Sequence, residues 1–192
     1  MFHNLRGREA RPASGRWNVG KTLLQTVVFW SVFLWLLPWM VVTLERLGAP
    51  NLPTFPAWTK ASGGIVFLFA GTLGLTSGMV MALRGRGTPL PNDCPRELVV
   101  VGTYRYVRNP MAVAGITQGV AVGLMLGSPS VVVYSVAGAI VWHVLVRPWE
   151  ESDLERRFGE PYLQYRAAVR CWIPRRTPYL PTSVVDKQAT GR

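Results

Sequence analysis

Charge is what long stretches of this sequence lack. No Asp, Glu, Lys or Arg lies between Lys21 and Glu45, a gap of 23 residues, and a gap of 23 also separates Lys60 from Arg84. Between Arg108 and Arg147 the gap is 38 residues. Acidic residues are scarce throughout, 10 against 21 Lys and Arg, and there are two cysteines and two histidines. Neither Cys94 nor Cys171 has a second Cys or His at metal-ligand spacing, so no metal site is expected. A soluble helical bundle is disfavoured as well. A soluble helix needs a polar face, and "VVFWSVFLWLLPWMVV" offers none.

What fills the gaps is apolar. A membrane-spanning helix takes about 20 mostly apolar residues. The first two gaps fit one span each, at about 22–44 and 61–83. The third fits two shorter spans, 110–126 and 130–146, because Gly127-Ser128-Pro129 near its middle reads as a turn. The predicted fold is therefore all-α and integral to the membrane, with four transmembrane helices, the last two forming a hairpin. The first span is too long for a cleaved signal peptide, and no A-x-A-like site follows it. Trp17, Trp30, Trp35, Trp39 and Trp58 include candidates for interfacial aromatic belts. Pro38 lies inside the first span, where a kink is tolerable if neighbouring helices satisfy the freed carbonyl.

Four spans segregate the basic residues. On that count 19 of the 21 Lys and Arg fall on one side, Arg46 and Lys60 being the exceptions. The positive-inside rule puts the rich side, with both termini, in the cytoplasm. Both cysteines share that side, where reduced thiols are expected. The net charge of +11 then reflects topology and attraction to anionic headgroups. Nucleic-acid binding is not expected, because the basic residues flank spans instead of forming one soluble face.

Residues 1–192 read as a single membrane domain with polar, mobile tails at 1–20 and 177–192. Glycines recur in span two (Gly64, Gly71, Gly78) and span three (Gly115, Gly119, Gly123). They are expected to let helices approach closely. Two cytoplasmic segments hold the chemistry. Residues 84–110 begin as a Gly/Pro loop and continue with "ELVVVGTYRYV", expected to be extended. Residues 147–175 predict a helix ending at Gly159 and a second helix started by Pro161. Tyr162, Tyr165 and Val169 share one face of that second helix. This pair forms an amphipathic C-terminal cap near the membrane surface.

The hairpin brings two charged ends together. Arg105 and Arg108 stand where span three begins, and Glu150 and Glu151 stand where span four ends. His143, Arg147 and Glu150 repeat at i, i+4 and i+7, one face of a helix. Tyr104, Asn109 and the glycine loop converge on the same depth. Such a cluster is costly unless paired or liganded. It either ties the hairpin to the cap or receives a ligand carrying both an amine and a carboxylate.

Three stretches carry a family resemblance. "GRGTP", "LVVVGTYRYVRNPM" and "PWEESDLERRFGEPYLQYRAAVRCWIP" resemble the isoprenylcysteine carboxyl methyltransferases and their relatives the phospholipid N-methyltransferases, over roughly residues 80–175. The resemblance implies an S-adenosylmethionine site at motifs 84–111 and 143–175, facing the cytoplasm and closed by the cap. Gly85 and Gly87 match the family's Gly-x-Gly. Leu98, Val99 and Tyr104 match the stretch that holds the cofactor, and Asn109, Pro110 and Met111 the motif after the arginine. Glu150 and Glu151 match its acidic pair, and His143 is grouped with the cofactor residues. Arg147 corresponds to an arginine near the acceptor carboxylate. Thr103 departs from the family's Gly-Pro-Tyr, and Ala112 from its Arg-x-Pro-x-Tyr.

The implied function is methyl transfer from S-adenosylmethionine to a lipid-like or prenyl-thioether acceptor that enters from the bilayer. A carboxylate acceptor needs an orienting cation, Arg147 or Arg108. An amine acceptor must lose a proton, to Glu150 or His143. Many Arg and few Lys suggest a bacterial cytoplasmic membrane. An NADPH-dependent membrane reductase of similar architecture, or a scaffold without catalysis, are the rival expectations.

Overall fold

Inside a bilayer a backbone must satisfy its own hydrogen bonds, so long uncharged runs become long helices. The computed structural model describes residues 7–48, 52–90 and 93–181. Helix α1 (Gly15–Phe29), a π-helical segment (Trp30–Leu36) and α2 (Leu37–Gly48) run continuously. Helix α3 covers Thr59–Arg84 and α4 Pro110–Leu126. Helix α5 (Pro129–Val141), a second π segment (Trp142–Val146) and α6 (Arg147–Phe158) are again continuous, and α7 is Glu160–Ala168. Among the described residues there is no strand, and the β-type pairing is an isolated parallel bridge between Glu9 and Cys94.

Three helices are long and apolar enough to cross a membrane: Gly15–Gly48, Thr59–Arg84 and Pro129–Phe158. Helix α4 is apolar but shorter, 17 residues, a rise of about 25 Å. The outward faces are fatty. Trp35 is 71%, Phe69 75% and Val133 66% exposed, which lipid tolerates and water does not.

Both π segments precede a proline. Leu37 N–H bonds to Val32 O, and Arg147 N–H to Trp142 O, five residues back in each case. Pro38 and Pro148 follow directly. A proline has no N–H for the carbonyl four residues back and crowds it. Widening the turn ahead of the ring relieves that clash. The expected disturbance at Pro38 thus takes the form of a π turn.

The chain divides into two units. An apolar unit comprises Gly20–Leu75 and Met111–Pro148, and a polar unit Met1–Val19, Thr76–Pro110 and Trp149–Arg192. In the apolar unit α4 and α5 form the expected hairpin. Gly127 turns it with φ +70°. Ser128 then caps α5, its Oγ accepting from Val131 N–H at 3.3 Å. A Cβ on Gly119 would lie 2.6 Å from Ser135 Oγ, and one on Gly123 would lie 2.6 Å from Val132 Cγ2. Those two glycines therefore permit the contact of α4 with α5, whereas Gly64 and Gly115 face open space. Glu45 at the end of α2 accepts from Ser128 Oγ (2.7 Å) and Ser130 Oγ (3.2 Å). Its charge thereby meets the N-terminus of α5, where the helix dipole favours an anion.

The polar unit packs around Tyr162, Tyr165 and Val169, with Leu98, Leu154, Phe158 and Tyr179 against them. This is the face expected from the spacing, and Gly159, at φ +55°, breaks α6 from α7. Two expectations change. "GTYR" is a 3₁₀ turn at Gly102–Arg105, not extended, because Gly102 adopts φ +60°. The N-terminal stretch is not a loose tail where described. Cys94 N–H bonds to Arg8 O at 2.8 Å, and Ala10 N–H to Cys94 O at 3.0 Å. Backbone bonds also hold Tyr179. Residues 1–6 and 182–192 of the expected tails lie outside the described residues.

Candidate functional site

The polar unit holds the acidic pair. Arg108 Nη2 donates to Glu151 Oε1 at 2.7 Å, with side chains only 11% and 20% exposed. Its backbone N–H bonds to Arg170 O at 3.0 Å, and its Nη1 donates to Arg166 O at 3.4 Å. The guanidinium is thus held by two partners and the backbone by a third. Asn109 Nδ2 donates to Glu150 Oε2 at 3.3 Å. No Lys or Arg among the described residues forms an ion pair with Glu150.

This difference sets the electrostatics. The apolar run ends at Val146 and charge returns at Arg147, so Glu150 lies past the apolar part of the Pro129–Phe158 helix. Burial pushes its carboxyl up to about 7; the charge of Glu151 adds to the rise, and the Asn109 hydrogen bond opposes it. A carboxylate with an amide donor and no cation is a receptor for a positive group.

The glycine loop lies at the end of α3. Gly85 N–H bonds to Met81 O at 2.8 Å, and its carbonyl accepts from Arg96 N–H at 2.7 Å. A Cβ on Gly85 would lie 2.8 Å from both Pro95 Cβ and Val99 Cγ2; one on Gly87 would lie 2.7 Å from Cys94 O. The Cβ sides of these glycines are therefore filled by residues 94–99. Arg86 between them takes φ +55°, a strained value for a side-chain-bearing residue.

Tyr104 is buried. Its hydroxyl reaches Ser77 O at 3.5 Å, and its carbonyl accepts from Tyr165 OH at 2.7 Å. Burial holds the phenols of Tyr104, Tyr162 and Tyr165 well above the usual range. Thr103, in place of the family's proline, hydrogen-bonds Ser77 through its hydroxyl at 2.9 Å. Leu98 belongs to the Tyr162/Tyr165/Val169 cluster and Val99 is buried near Gly85. Pro110 starts α4.

The remaining sequence candidates fall in the apolar unit. Met111 and Ala112 are half-buried in the first turn of α4, and His143 is exposed in the second π segment. Arg147 is half-buried and opens α6. The π turn between His143 and Arg147 also changes the phase that an ideal helix would give His143, Arg147 and Glu150.

A clamp escaped the sequence reading. Asp153 is buried and pairs with Arg156 and Arg157. Its carboxylate also accepts from Gly7 N–H at 3.2 Å. Arg157 in turn donates to Pro95 O. Asp153 therefore ties the helix bearing the acidic pair to the loop that packs on Gly85 and Gly87. The i+3 and i+4 spacing of Arg156 and Arg157 was visible as helix ion pairs, but nothing local pointed to Gly7 or Pro95. Cys94 lies beside this clamp, its thiol pushed up by burial and lowered by Arg157.

Comparisons bear on this geometry. The family model of phospholipid methyltransferase matches residues 59–161, more than half of the chain. No curated protein matches the sequence. Among solved structures, the eukaryotic intramembrane Ras methyltransferase, isoprenylcysteine carboxyl methyltransferase, superposes with a TM-score of 0.54 at 20% identity. The match covers 71% of this chain and 49% of that one. The chain thus spans about half the length of that protein, and the likeness is one of fold.

Proposed function

From this chain's membership of the phospholipid methyltransferase family, we propose that it transfers a methyl group from S-adenosylmethionine to a lipid-like acceptor at the membrane face. The observation that carries the reading is Glu150, a half-buried carboxylate with an amide donor and no ion-paired cation among the described residues. S-adenosylmethionine, when bound, supplies a methyl group on a cationic sulfur already activated for displacement. The donor set fits such a group: Glu150 offers the balancing charge, and Asn109 fixes its orientation.

In this reading the chain works mainly by holding reactants in line. Arg108 keeps Glu151 in place, and the Asp153 clamp keeps the glycine loop in register with α6. Gly85 and Gly87 act by letting that loop close, with Leu98, Val99 and Tyr104 as its support. Pro110 and Met111 start the helix behind Asn109. Arg147 or Arg108 orients an acceptor carboxylate. With an amine acceptor a proton must leave, and Glu150 is tuned to take it near neutral pH, with His143 as the other base. The topology we propose has four spans, α4 included, with both termini in the cytoplasm of a bacterium and the acceptor entering laterally.

Calorimetric titration of detergent-purified protein with S-adenosylmethionine tests this. Saturable binding is expected, weakened roughly a hundredfold in Glu150→Gln, since removing one partner of a buried charge contact costs a few kcal/mol. Absence of binding to folded protein overturns the proposal, and binding of NADPH instead points to a reductase.

A further inference from the structure

The segment after α7 binds back onto the polar unit. Arg108 N–H bonds to Arg170 O at 3.0 Å, Arg175 N–H to Tyr106 O at 2.9 Å, and Tyr179 N–H to Arg105 O at 2.9 Å. Arg105 Nε returns a bond to Tyr179 O at 2.9 Å. Residues 170–180 therefore run as a strap along residues 105–108. Those residues stop two positions before Pro110, where the apolar helix α4 begins. On the four-span topology proposed above, the strap lies at the level where the chain enters hydrocarbon.

Its chemistry is one-sided. Arg170, Arg175 and Arg176 form no ion pair among the described residues. No acidic residue occurs from 161 to 181. Between and beside these cations Ile173 is 58% and Leu180 47% exposed. A soluble surface pairs or dilutes such charges and hides such side chains. An interface rich in lipid phosphates serves both, taking the guanidiniums at headgroup depth and the apolar side chains below them.

We propose that the strap, Arg170 to Leu180, is a docking surface for the anionic headgroups of the leaflet it faces. It also has a lever on the site. Arg170 holds the backbone of Arg108, whose guanidinium holds Glu151. Headgroup engagement therefore steadies the acidic pair, and the protein works best on an anionic surface.

The test uses the full chain in lipid nanodiscs of phosphatidylcholine alone or mixed with phosphatidylglycerol. Amide hydrogen exchange over residues 170–181 is read first, because it does not depend on any activity. Exchange is expected to slow in the anionic discs, to recover at high salt, and to lose the lipid difference in Arg170→Gln/Arg175→Gln/Arg176→Gln. Each arginine near an anionic surface should contribute roughly a fivefold change in occupancy. Equal exchange in both lipids overturns the proposal, as does a lipid difference that survives in the triple variant. Capture of a soluble acidic protein with no lipid response also overturns it. The activity arm rests on the methyltransferase reading: turnover in wild type should rise in anionic discs and that gain should vanish in the variant. A lipid-dependent exchange without any methyl transfer would sink that reading and leave the strap's role standing.

Discussion

The two units hold their chains at close range by opposite means. In the apolar unit the contact of α4 with α5 rests on absent side chains, at Gly119 and Gly123. In the polar unit, loop and helix are held by charge: Arg108 on Glu151, and Asp153 on Arg156, Arg157 and Gly7. The reason is the solvent each reading assigns. Between helices in lipid there is no hydrophobic gain from burying one more methyl, so close packing decides. At the water-facing end buried ion pairs are tolerable only when each charge is matched. Glu150 is the one member of the acidic pair left without an ionic match among the described residues, and it marks the candidate site.

The sharpest way to break this comparison is Asp153→Ala. Two arginines would lose a buried partner, a cost of about 3 kcal/mol. Hydrogen exchange should accelerate in residues 7–10 and 85–99 while α4 and α5 keep their protection. Gly119→Leu is the mirror experiment. Overpacking against Ser135 should cost about 2 kcal/mol, read as a lower thermal midpoint in detergent with faster exchange in the α4–α5 hairpin. Loss confined to the polar unit in that variant would contradict the division of labour.

A pH series sharpens the role of Glu150. Its carboxyl stands at about 7 against an ordinary 4.5. The folded chain then keeps a proton that the unfolded chain has already released, so this residue's contribution to stability falls as pH rises from 4.5 to about 7. Cation binding runs the other way, because it needs the ionised form. Affinity for S-adenosylmethionine should rise about tenfold between pH 6 and 8 and then level off. A flat profile would mean that Glu150 does not meet the cation. The smallest effect is expected from Gln118→Leu. Gln118 is 1% exposed, and its Nε2 finds no hydrogen-bond acceptor among the described residues. Replacing it should leave stability unchanged or raise it by up to about 1 kcal/mol, measured by the same melts.

Legibility followed the range of the interactions. The turn at Gly127-Ser128-Pro129, the break at Gly159 and the buried face of Tyr162, Tyr165 and Val169 depend on neighbours a few residues away, and all were readable. The pairing of Arg108 with Glu151 was also within reach, because a short hairpin turn leaves its far ends adjacent. The 3₁₀ turn at Gly102 was not, since β-branched neighbours suggested extension and one positive φ overrode them. That Pro95, Val99 and Cys94 fill the space beside the α-carbons of Gly85 and Gly87 was not legible either, because those neighbours are brought there by the return of the loop.

The sequence by itself determined the all-helical class and the apolar segments, because uncharged length and turn chemistry are local properties. It also determined the family, because motif residues keep their order along the chain. Only the tertiary structure decided which carboxylate is compensated and which is not, that Asp153 joins Gly7 to Pro95 through Arg157, and that residues 170–180 return to Arg105 and Arg108. Those contacts join residues more than 40 apart, and a charge's partner is set by the fold, which no local pattern of residues records.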